Sequence, residues 1–249
     1  MHRIRLLDVA LDPLNREQLL ARLRSAIERR EREVFCYLNI HAVNIAHRNS
    51  RFRAFLARAG TVYCDGEGVR VGARILGFRI PPRIVLTYFV WDLCAEANAR
   101  GYSLFLLGSK QEILEEAVTC VRQRYPGIKV AGHHHGYFPK FGEESDRVVE
   151  HIREASPDIL FVGFGMPLQE EWIEANLDRL EARAILPCGS MIDYVAGRKG
   201  LAPSWMSNHG MEWLYRLFQE PGRLWKRYLL GNPLFFIRVI AGRLNGRRS

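Results

Sequence analysis

The sequence predicts an α/β fold in which helices flank a mainly parallel, Rossmann-like sheet. Short apolar runs rich in branched and aromatic residues alternate with amphipathic segments of helical length. Glycine and polar residues follow most of the apolar runs, as they do in loops at the carboxyl edge of a parallel sheet. A basic, aromatic-rich stretch at the C-terminus predicts a helical appendage to this core.

Six apolar runs are predicted as strands and seven amphipathic stretches as helices, from the period of their apolar residues. The predicted strands are residues 34–38, 61–64, 103–107, 128–131, 159–162 and 184–186. The predicted helices are residues 16–30, 43–59, 69–76, 90–100, 112–125, 145–155 and 169–180. In the tail, the Gly231-Asn232-Pro233 sequence predicts a break between two short helices.

Length and composition are those of an ordinary globular protein. The chain has 249 residues, of which 48% are hydrophobic and 25% are charged, and it can form one large domain followed by a tail. No apolar run reaches the length of a membrane helix, and the N-terminus lacks the continuous apolar region of a signal peptide. We therefore expect a cytoplasmic protein that is not an integral membrane protein.

Positive charge is concentrated in the C-terminal tail. Residues 212–249 contain eight basic and two acidic side chains, so they carry +6 of the formal net charge of +9. Seven aromatic residues lie in the same stretch, a combination typical of segments that bind an anionic bilayer surface. Two alternatives stay open: a helix with solvated arginines that packs on the domain, and a nucleic-acid-binding patch. The apolar run 233–237 argues against nucleic acid, since a phosphate-binding face does not need it.

Residues 157–172, PDILFVGFGMPLQEEW, join a predicted buried strand to a predicted helix. Gly163 and Gly165 allow a sharp turn and a close approach of the backbone to a ligand, and Pro167 suits the first turn of a helix. The free N–H groups at such a helix start can bind an anion. A plain strand-to-helix turn is the alternative, and the polar Gln169-Glu170 pair favours the ligand site.

Asp65 follows the predicted strand 61–64 and precedes two glycines that flank Glu67. A carboxylate at this edge of the sheet can take a proton from a hydroxyl group within hydrogen-bond reach. The alternative is an N-cap aspartate for a helix that begins near Glu67. Glu67 and Glu170 fall in predicted first helical turns, where the helix dipole favours a carboxylate without any catalytic role.

The His133-His134-His135 triplet does not favour a metal site, because adjacent side chains point in different directions and no matching carboxylate or cysteine spacing accompanies it. The five cysteines lack a CxxC pair, which argues against a zinc site or a disulfide framework. Tyr137 can stack on a planar base or pack against the protein, and both interpretations stay open. Gly108-Ser109 follows a predicted strand, but the absence of P-loop and GxGxxG patterns argues against a P-loop enzyme or an ordinary dehydrogenase.

Together these motifs resemble one family, the WecB/TagA/CpsF bacterial glycosyltransferases, which build cell-surface and exported polysaccharides on a lipid carrier. The resemblance covers residues 34–238. It rests on Asn39, Asp65-Gly66-x-Gly68, Arg83, residues 105–108, Gly136-Tyr137-Phe138, Gly165-x-Pro167-x-Gln169-Glu170, Gly189-x-x-x-Asp193, Ala202-Pro203 and Gly210-x-Glu212-Trp213-x-x-Arg216-Leu217.

The resemblance implies an inverting, metal-independent transfer of a sugar from a UDP-sugar to a saccharide linked to undecaprenyl diphosphate. It implies that Asp65 is the general base and that Asn39 and Arg83 bind the acceptor or the sugar. The residues implied to bind the nucleotide-sugar are Gly108, Tyr137, Gly165, Gln169 and Asp193. Those implied to meet the lipid diphosphate or the membrane are Arg216, Arg223 and Arg227.

The resemblance also implies the organisation and the partners of the chain. Residues 1–203 are expected to form the catalytic domain, and residues 204–249 a membrane-associating appendage at the inner face of the cell membrane. The expected partners are the UDP-sugar, the lipid-linked saccharide and an anionic membrane surface, with no nucleic acid and no cofactor beyond the donor substrate. A homo-oligomer is compatible with this reading.

Two positions depart from the family pattern. Tyr88 stands where many members have an aspartate after the arginine that corresponds to Arg83, and Tyr37 stands where a threonine is common. The identity of the donor sugar is therefore left open. A non-catalytic α/β nucleotide- or nucleic-acid-binding protein, which uses the basic tail for its partner, is the alternative function.

Overall fold

A computed structural model describes residues 2–245 and contains a six-stranded sheet in which every pairing is parallel. The strands are β3 (Glu33–Leu38), β4 (Thr61–Cys64), β5 (Ser103–Gly108), β6 (Lys129–His134), β7 (Ile159–Gly163) and β8 (Ala184–Pro187), in the order β4-β3-β8-β7-β5-β6. A separate antiparallel hairpin, β1 (Ile4–Leu6) and β2 (Val9–Leu11), precedes them. The predicted fold class and all six predicted strands are confirmed, and the hairpin is an addition.

Helices cover both faces of the sheet and continue into the C-terminal tail. They are α1 (Arg16–Glu28), α2 (Ile40–Arg48), α3 (Ser50–Arg58), α4 (Glu67–Ile75), α5 (Leu86–Arg100), α6 (Gln111–Arg124), α7 (Glu143–Ala155), α8 (Leu168–Asn176), α9 (Met191–Val195), α10 (Ser204–Asn208), α11 (Glu212–Gln219), α12 (Pro221–Trp225) and α13 (Gly231–Asn245). A π-helical segment, Lys226–Leu230, joins α12 to α13. Each predicted helix is present, although the one predicted over residues 43–59 is divided.

The division of that predicted helix occurs at Asn49. Its backbone is extended, with φ −119° and ψ 103°, and its side chain accepts a hydrogen bond from the Phe52 N–H at 3.0 Å. Asparagine is a favoured N-cap because its side chain satisfies a free N–H group at a helix start. Helix α2 therefore ends at Arg48 and α3 begins at Ser50. The unbroken apolar period of residues 43–59 does not reveal this boundary, although asparagine is itself an N-cap signal.

The predicted break at Gly231-Asn232-Pro233 is wrong, because the chain is helical from Pro221 to Asn245. In the π-helical segment the Gly231 N–H donates to the Lys226 carbonyl, five residues earlier, and this wider turn directly precedes Pro233. The break lies instead at Glu220, where φ is −135° and ψ is 59°. A residue before a proline is disfavoured in the α conformation, and Pro221 opens the next helix.

Helix α13 packs into the core that covers one face of the sheet. Phe235 and Val239 are fully buried there, together with residues of β3, β4 and β7. Asn44 of α2 fixes the helix start, since it donates to the Gly231 carbonyl at 2.8 Å and accepts from Arg238 at 2.8 Å. The tail, as far as Asn245, therefore shares its core with the α/β domain.

We predict that Gly72→Ala destabilises the protein relative to Gly222→Ala by about 2 kcal/mol. A Cβ atom at position 72 in α4 would lie 2.6 Å from Cζ of the buried Phe235, whereas one at position 222 in α12 would meet nothing within 4 Å. Both substitutions gain helix propensity, so their difference isolates the steric cost. Chemical denaturation measures the two unfolding free energies. Equal values would show that α13 does not press on α4.

Candidate active site

Three adjoining cavities lie at the carboxyl edge of the sheet, where the tail folds over the strand ends. The central cavity is lined by residues that include Tyr37, Asn39, Asp65, Thr87, Gly165, Gly189, Lys199, Arg216, Arg223 and Arg227. The tail-side cavity is lined by residues that include Asn39, Asp65, Glu67, Arg83, Glu212, Trp213, Arg216, Arg227 and Phe236. The loop-side cavity is lined by residues that include Ser109, Tyr137, Gly165, Gly189, Asp193, Lys199 and Arg223.

Asp65 lies at the junction of the central and tail-side cavities. Its backbone N–H donates to the Leu38 carbonyl at 2.9 Å, which holds it beside the end of β3. Gly66, with φ +142°, is the N-cap residue of α4, and that cap has no side-chain hydrogen bond. The N-cap interpretation of Asp65 is therefore wrong. Among the side chains that the structure describes, which exclude that of Asn208, none forms a hydrogen bond or ion pair with its partly buried carboxylate.

The environment of Asp65 favours its protonated form more than water does. Burial raises the pKa of its carboxyl group from 3.8 to about 6, against the lowering effect of Arg216 and with a further raising effect of Glu212. Arg83 and Arg227 also lower this pKa. A carboxylate tuned in this way is a stronger base than an exposed aspartate and is still ionised near neutral pH.

Asn39 lies beside Asp65 and lines the same two cavities. It is the N-cap residue of α2, where its side-chain oxygen accepts from the Ala42 N–H at 3.1 Å. The cap uses the oxygen, so the amide nitrogen is the atom that can donate toward a ligand. A structural role and a binding role are thus compatible in this residue.

The floor of the cavities depends on close contact between glycines at the strand ends. A Cβ atom on Gly108 would lie 2.6 Å from the Gly163 carbonyl oxygen, and one on Gly163 would lie 2.6 Å from the Gly189 carbonyl oxygen. Gly108 is buried and lies below the loop-side cavity, whereas Ser109 lines it. Gly165, with φ +82°, lines both the central and the loop-side cavities.

Gln169 was predicted to contact the nucleotide-sugar, and the structure places it beneath the cavities instead. It is fully buried, and its Oε1 accepts the N–H groups of Gly165 at 3.1 Å and Gly189 at 3.0 Å. Its Nε2 donates to the Tyr37 hydroxyl at 3.4 Å and to Glu170 at 2.8 Å. This amide therefore fastens two turns and the end of β3 to one another.

The loop-side cavity combines an exposed aromatic ring with a partly buried polar cluster. Tyr137 is 69% exposed, so it does not pack in the core. Asp193 accepts from Ser109 Oγ at 2.6 Å and pairs with Lys199 Nζ at 3.2 Å. Lys199 also pairs with Glu220 of the tail at 2.8 Å, which joins this cavity to the appendage.

The four predicted arginines differ in what they contact. Arg83 pairs with Glu212 at 2.8 Å and lines the tail-side cavity, and Arg216 pairs with the same carboxylate at 2.9 Å. Arg223 is exposed and pairs with Glu220. Arg227 lines the central and tail-side cavities, and its buried Nε has no hydrogen-bond partner among residues 2–245. The structure therefore brings all four arginines to cavities that Asp65 also lines.

Four further residues of the cavities were not predicted as site residues. His41 lies between the central and tail-side cavities, and burial, with a smaller effect of Arg227, lowers its pKa to about 4, which keeps it neutral. Thr87 lines the central cavity with a buried hydroxyl that has no partner in the described range. Lys199 and Glu212 complete the set. His41 follows a predicted strand closely enough to have been found, whereas the other three depend on tertiary contacts.

The two departures from the family pattern lie in different places. Tyr37 lines the central cavity, where its hydroxyl lies against Gly189. Tyr88 is instead beside Arg83 in a separate surface cavity. Only the change at position 37 therefore alters the central cavity directly.

The His133-His134-His135 triplet packs as part of the β6 end. The His134 ring lies 5.4 Å from the Phe138 ring and 6.4 Å from the His151 ring, both edge to face. Within residues 2–245 no group of three histidine, cysteine, aspartate or glutamate side chains is arranged to hold a metal ion.

The tail presents an apolar surface on the side that does not pack on the domain. Its exposed apolar side chains are Phe218, Trp225, Leu229, Leu230, Ile237, Ile240 and Leu244. Basic residues of the same helices, Arg223 and Lys226, border this surface and are exposed. No helix between residues 2 and 245 has both the length and the apolar content needed to cross a bilayer.

Comparison with known proteins identifies the family to which this architecture belongs. The sequence matches the model of the Glycosyl transferase WecG/TagA/CpsF family over residues 4–249. It is 32% identical over 203 residues to the N-acetylglucosaminyldiphosphoundecaprenol N-acetyl-beta-D-mannosaminyltransferase of Staphylococcus aureus strain MW2, which covers 81% of this chain and 77% of that enzyme. The enzyme of the same name from Staphylococcus aureus strain NCTC 8325 / PS 47 has the same identity and coverage.

These matches confirm the resemblance and the prediction of a glycosyltransferase, and they decide against the non-catalytic alternative. The match extends through both the α/β domain and the tail. The chain belongs to the WecG/TagA/CpsF family of glycosyl transferases.

Proposed function

We propose that this protein transfers a sugar from a UDP-sugar to a saccharide linked to undecaprenyl diphosphate, with inversion at the anomeric carbon and without a metal ion. The observation that carries the proposal is the position of Asp65, a carboxylate without a protein partner in the described range, where two cavities meet. The names of the relatives, which include a diphosphoundecaprenol acceptor, support the choice of acceptor.

Asp65 acts as the general base in this reaction. The acceptor hydroxyl oxygen bonds to the anomeric carbon of the donor while its proton passes to the Asp65 carboxylate. The bond between that carbon and the diphosphate oxygen breaks, and UDP leaves. Attack from the face opposite UDP inverts the configuration, so the acceptor and the donor must approach Asp65 from two sides. The central and tail-side cavities provide such an arrangement.

Positive side chains of the central cavity stabilise the charge that develops on the leaving diphosphate. Its charged lining comprises two carboxylates, Asp65 and Glu220, and four cations, Lys199, Arg216, Arg223 and Arg227. The formal excess of two positive charges suits a diphosphate, and arginine forks bind phosphate oxygens in pairs. This excess supports a transfer in which arginines take the part that a metal ion plays elsewhere.

The loop-side cavity is the proposed nucleotide site. The exposed Tyr137 ring offers a face for the base, and the Asp193 carboxylate offers an acceptor for the ribose hydroxyl groups. Gly165 and Lys199 line both this cavity and the central one, so a UDP-sugar can extend from one into the other.

The tail brings the protein to the lipid acceptor. Its exposed apolar side chains and bordering basic residues fit the interface of an anionic membrane, at the depth where the acceptor diphosphate lies. The tail-side cavity, lined by Trp213 and Phe236, lies between that surface and Asp65.

We predict that Asp65→Asn lowers kcat by at least about 100-fold, because the amide cannot accept the proton. Folding and UDP binding are expected to stay close to those of the wild type. Product mass and calorimetric titration with UDP measure the two properties, and Asp178→Asn, an exposed aspartate, is the matched control. Near-normal turnover by Asp65→Asn would refute the assignment of the base.

The pH dependence should follow the protonation of Asp65. Since the base must be ionised and its pKa is about 6, kcat/KM should fall as the pH drops through 6, by about tenfold per pH unit below it. An aspartate with an ordinary pKa would hold nearly full activity down to about pH 5 and half of it at about pH 4. Initial rates between about pH 3.5 and 8.5 locate the acid limb. A limb near pH 4 would contradict the environment described for Asp65.

Membrane binding should depend on the exposed apolar side chains of the tail. We predict that the triple variant Leu229→Ser/Leu230→Ser/Ile237→Ser reduces flotation with anionic liposomes by at least about tenfold. Each of these apolar side chains would contribute about 1.5 kcal/mol to binding when it inserts into the bilayer. These residues are 53%, 59% and 63% exposed, so the core is left intact. Phe141→Ser, at an exposed site on the α/β domain, is the control. Undiminished flotation of the triple variant would place the anchor elsewhere.

A further inference from the structure

Glu212 opens α11 and joins two arginines that come from different parts of the chain. Its Oε2 accepts from Arg83 Nη1 at 2.8 Å, and its Oε1 accepts from Arg216 Nη2 at 2.9 Å. Arg83 lies between α4 and α5, whereas Arg216 lies one turn further along α11. The glutamate is only 7% exposed. A buried carboxylate with both oxygens engaged fixes both guanidinium groups in place.

Arg83 completes a connection between the α/β domain and the tail. Besides its pair with Glu212, it donates to the Ser207 carbonyl in α10 at 2.7 Å. Glu212, Arg83, Arg216 and Asp65 all line the tail-side cavity. The connection therefore holds the start of α11 over the base.

The charged groups of this connection shift the pKa of Asp65 in opposite directions. Arg216, Arg83 and Arg227 lower the pKa of Asp65, and Glu212 raises it. The other ionisable side chains that line the same cavity are Glu67 of α4, His41 of α2, His209 after α10 and Tyr228 of the π-helical segment. Loss of the Glu212 charge would leave Arg216 without its carboxylate partner, and would leave Arg83 held by the Ser207 carbonyl and by the Glu67 carboxylate at 4.0 Å.

We infer that Glu212 is a positioning residue, which holds the guanidinium groups of Arg83 and Arg216 beside Asp65. This inference rests on the proposed function, in which Asp65 accepts the proton. Glu212 itself is engaged on both oxygens, so it acts through its two arginine partners and not on the substrate.

The test is Glu212→Gln, which keeps the shape of the side chain and removes its charge. We expect the acid limb of kcat/KM to move at least about half a pH unit lower, because the arginines then lower the pKa of Asp65 further. We also expect kcat/KM near pH 8 to fall at least about tenfold, since residue 212 no longer holds both guanidinium groups. Glu143→Gln makes the same change in an exposed pair with Arg147 and should match the wild type.

A wild-type acid limb together with kcat/KM within about twofold of the wild type in Glu212→Gln would overturn the inference. If that variant fails to fold, Glu212→Asp decides, because it keeps the charge but is one methylene too short to hold both arginines. It should keep the wild-type acid limb and lose at least about fivefold in kcat/KM; unchanged kcat/KM would overturn the inference. Failure of the proposed function is seen separately, as a wild type without an acid limb or an active Asp65→Asn.

Discussion

The packing of α13 against α4 is the contact on which the site depends. Phe235 is fully buried against Gly72, and Arg83 separately ties α10 and α11 to the domain. Of the four side chains that tune the pKa of Asp65 by their charge, Arg216, Glu212 and Arg227 belong to the tail. The basicity of Asp65 is therefore a property of the docked appendage as much as of strand β4.

A second constraint on the site is the buried amide of Gln169, which lies beneath the central cavity. One buried amide satisfies the N–H groups of two turns, those of Gly165 and Gly189, and reaches Tyr37 on a third element. Burying an amide is costly unless its hydrogen bonds are made, and here both of its polar ends are engaged. The floor of the central cavity is consequently fixed, whereas its roof is supplied by α11 and the π-helical segment, which carry Arg216 and Arg227.

Sequence reasoning was sufficient for the sheet and for the position of Asp65, because the period of apolar residues and the strand-end rule are local signals. It failed where a residue's partner is distant. The polarity of Gln169 predicts a ligand contact, but does not reveal that the amide is used by two backbone N–H groups, Tyr37 and Glu170. The pattern of the sequence does not reveal Glu212 and Lys199 as site residues, since Arg83 and the carboxylates of Asp193 and Glu220, with which they pair, lie on other elements. The break predicted at Gly231-Asn232-Pro233 is wrong for a related reason: the π-helical segment just before it lets the helix continue through the proline.

The positive charges of the central cavity link the basicity of Asp65 to the binding of the diphosphate. Arginines lower the pKa of Asp65, and a bound diphosphate would neutralise part of their charge. In the proposed mechanism this would raise the pKa of Asp65 further, so the carboxylate would be a stronger base with the anionic substrate in place than without it. Burial has the largest effect on the pKa of Asp65 and raises it whether or not a substrate is bound. In the proposed mechanism, the arginines that hold the diphosphate thus also restrain the base until the diphosphate arrives.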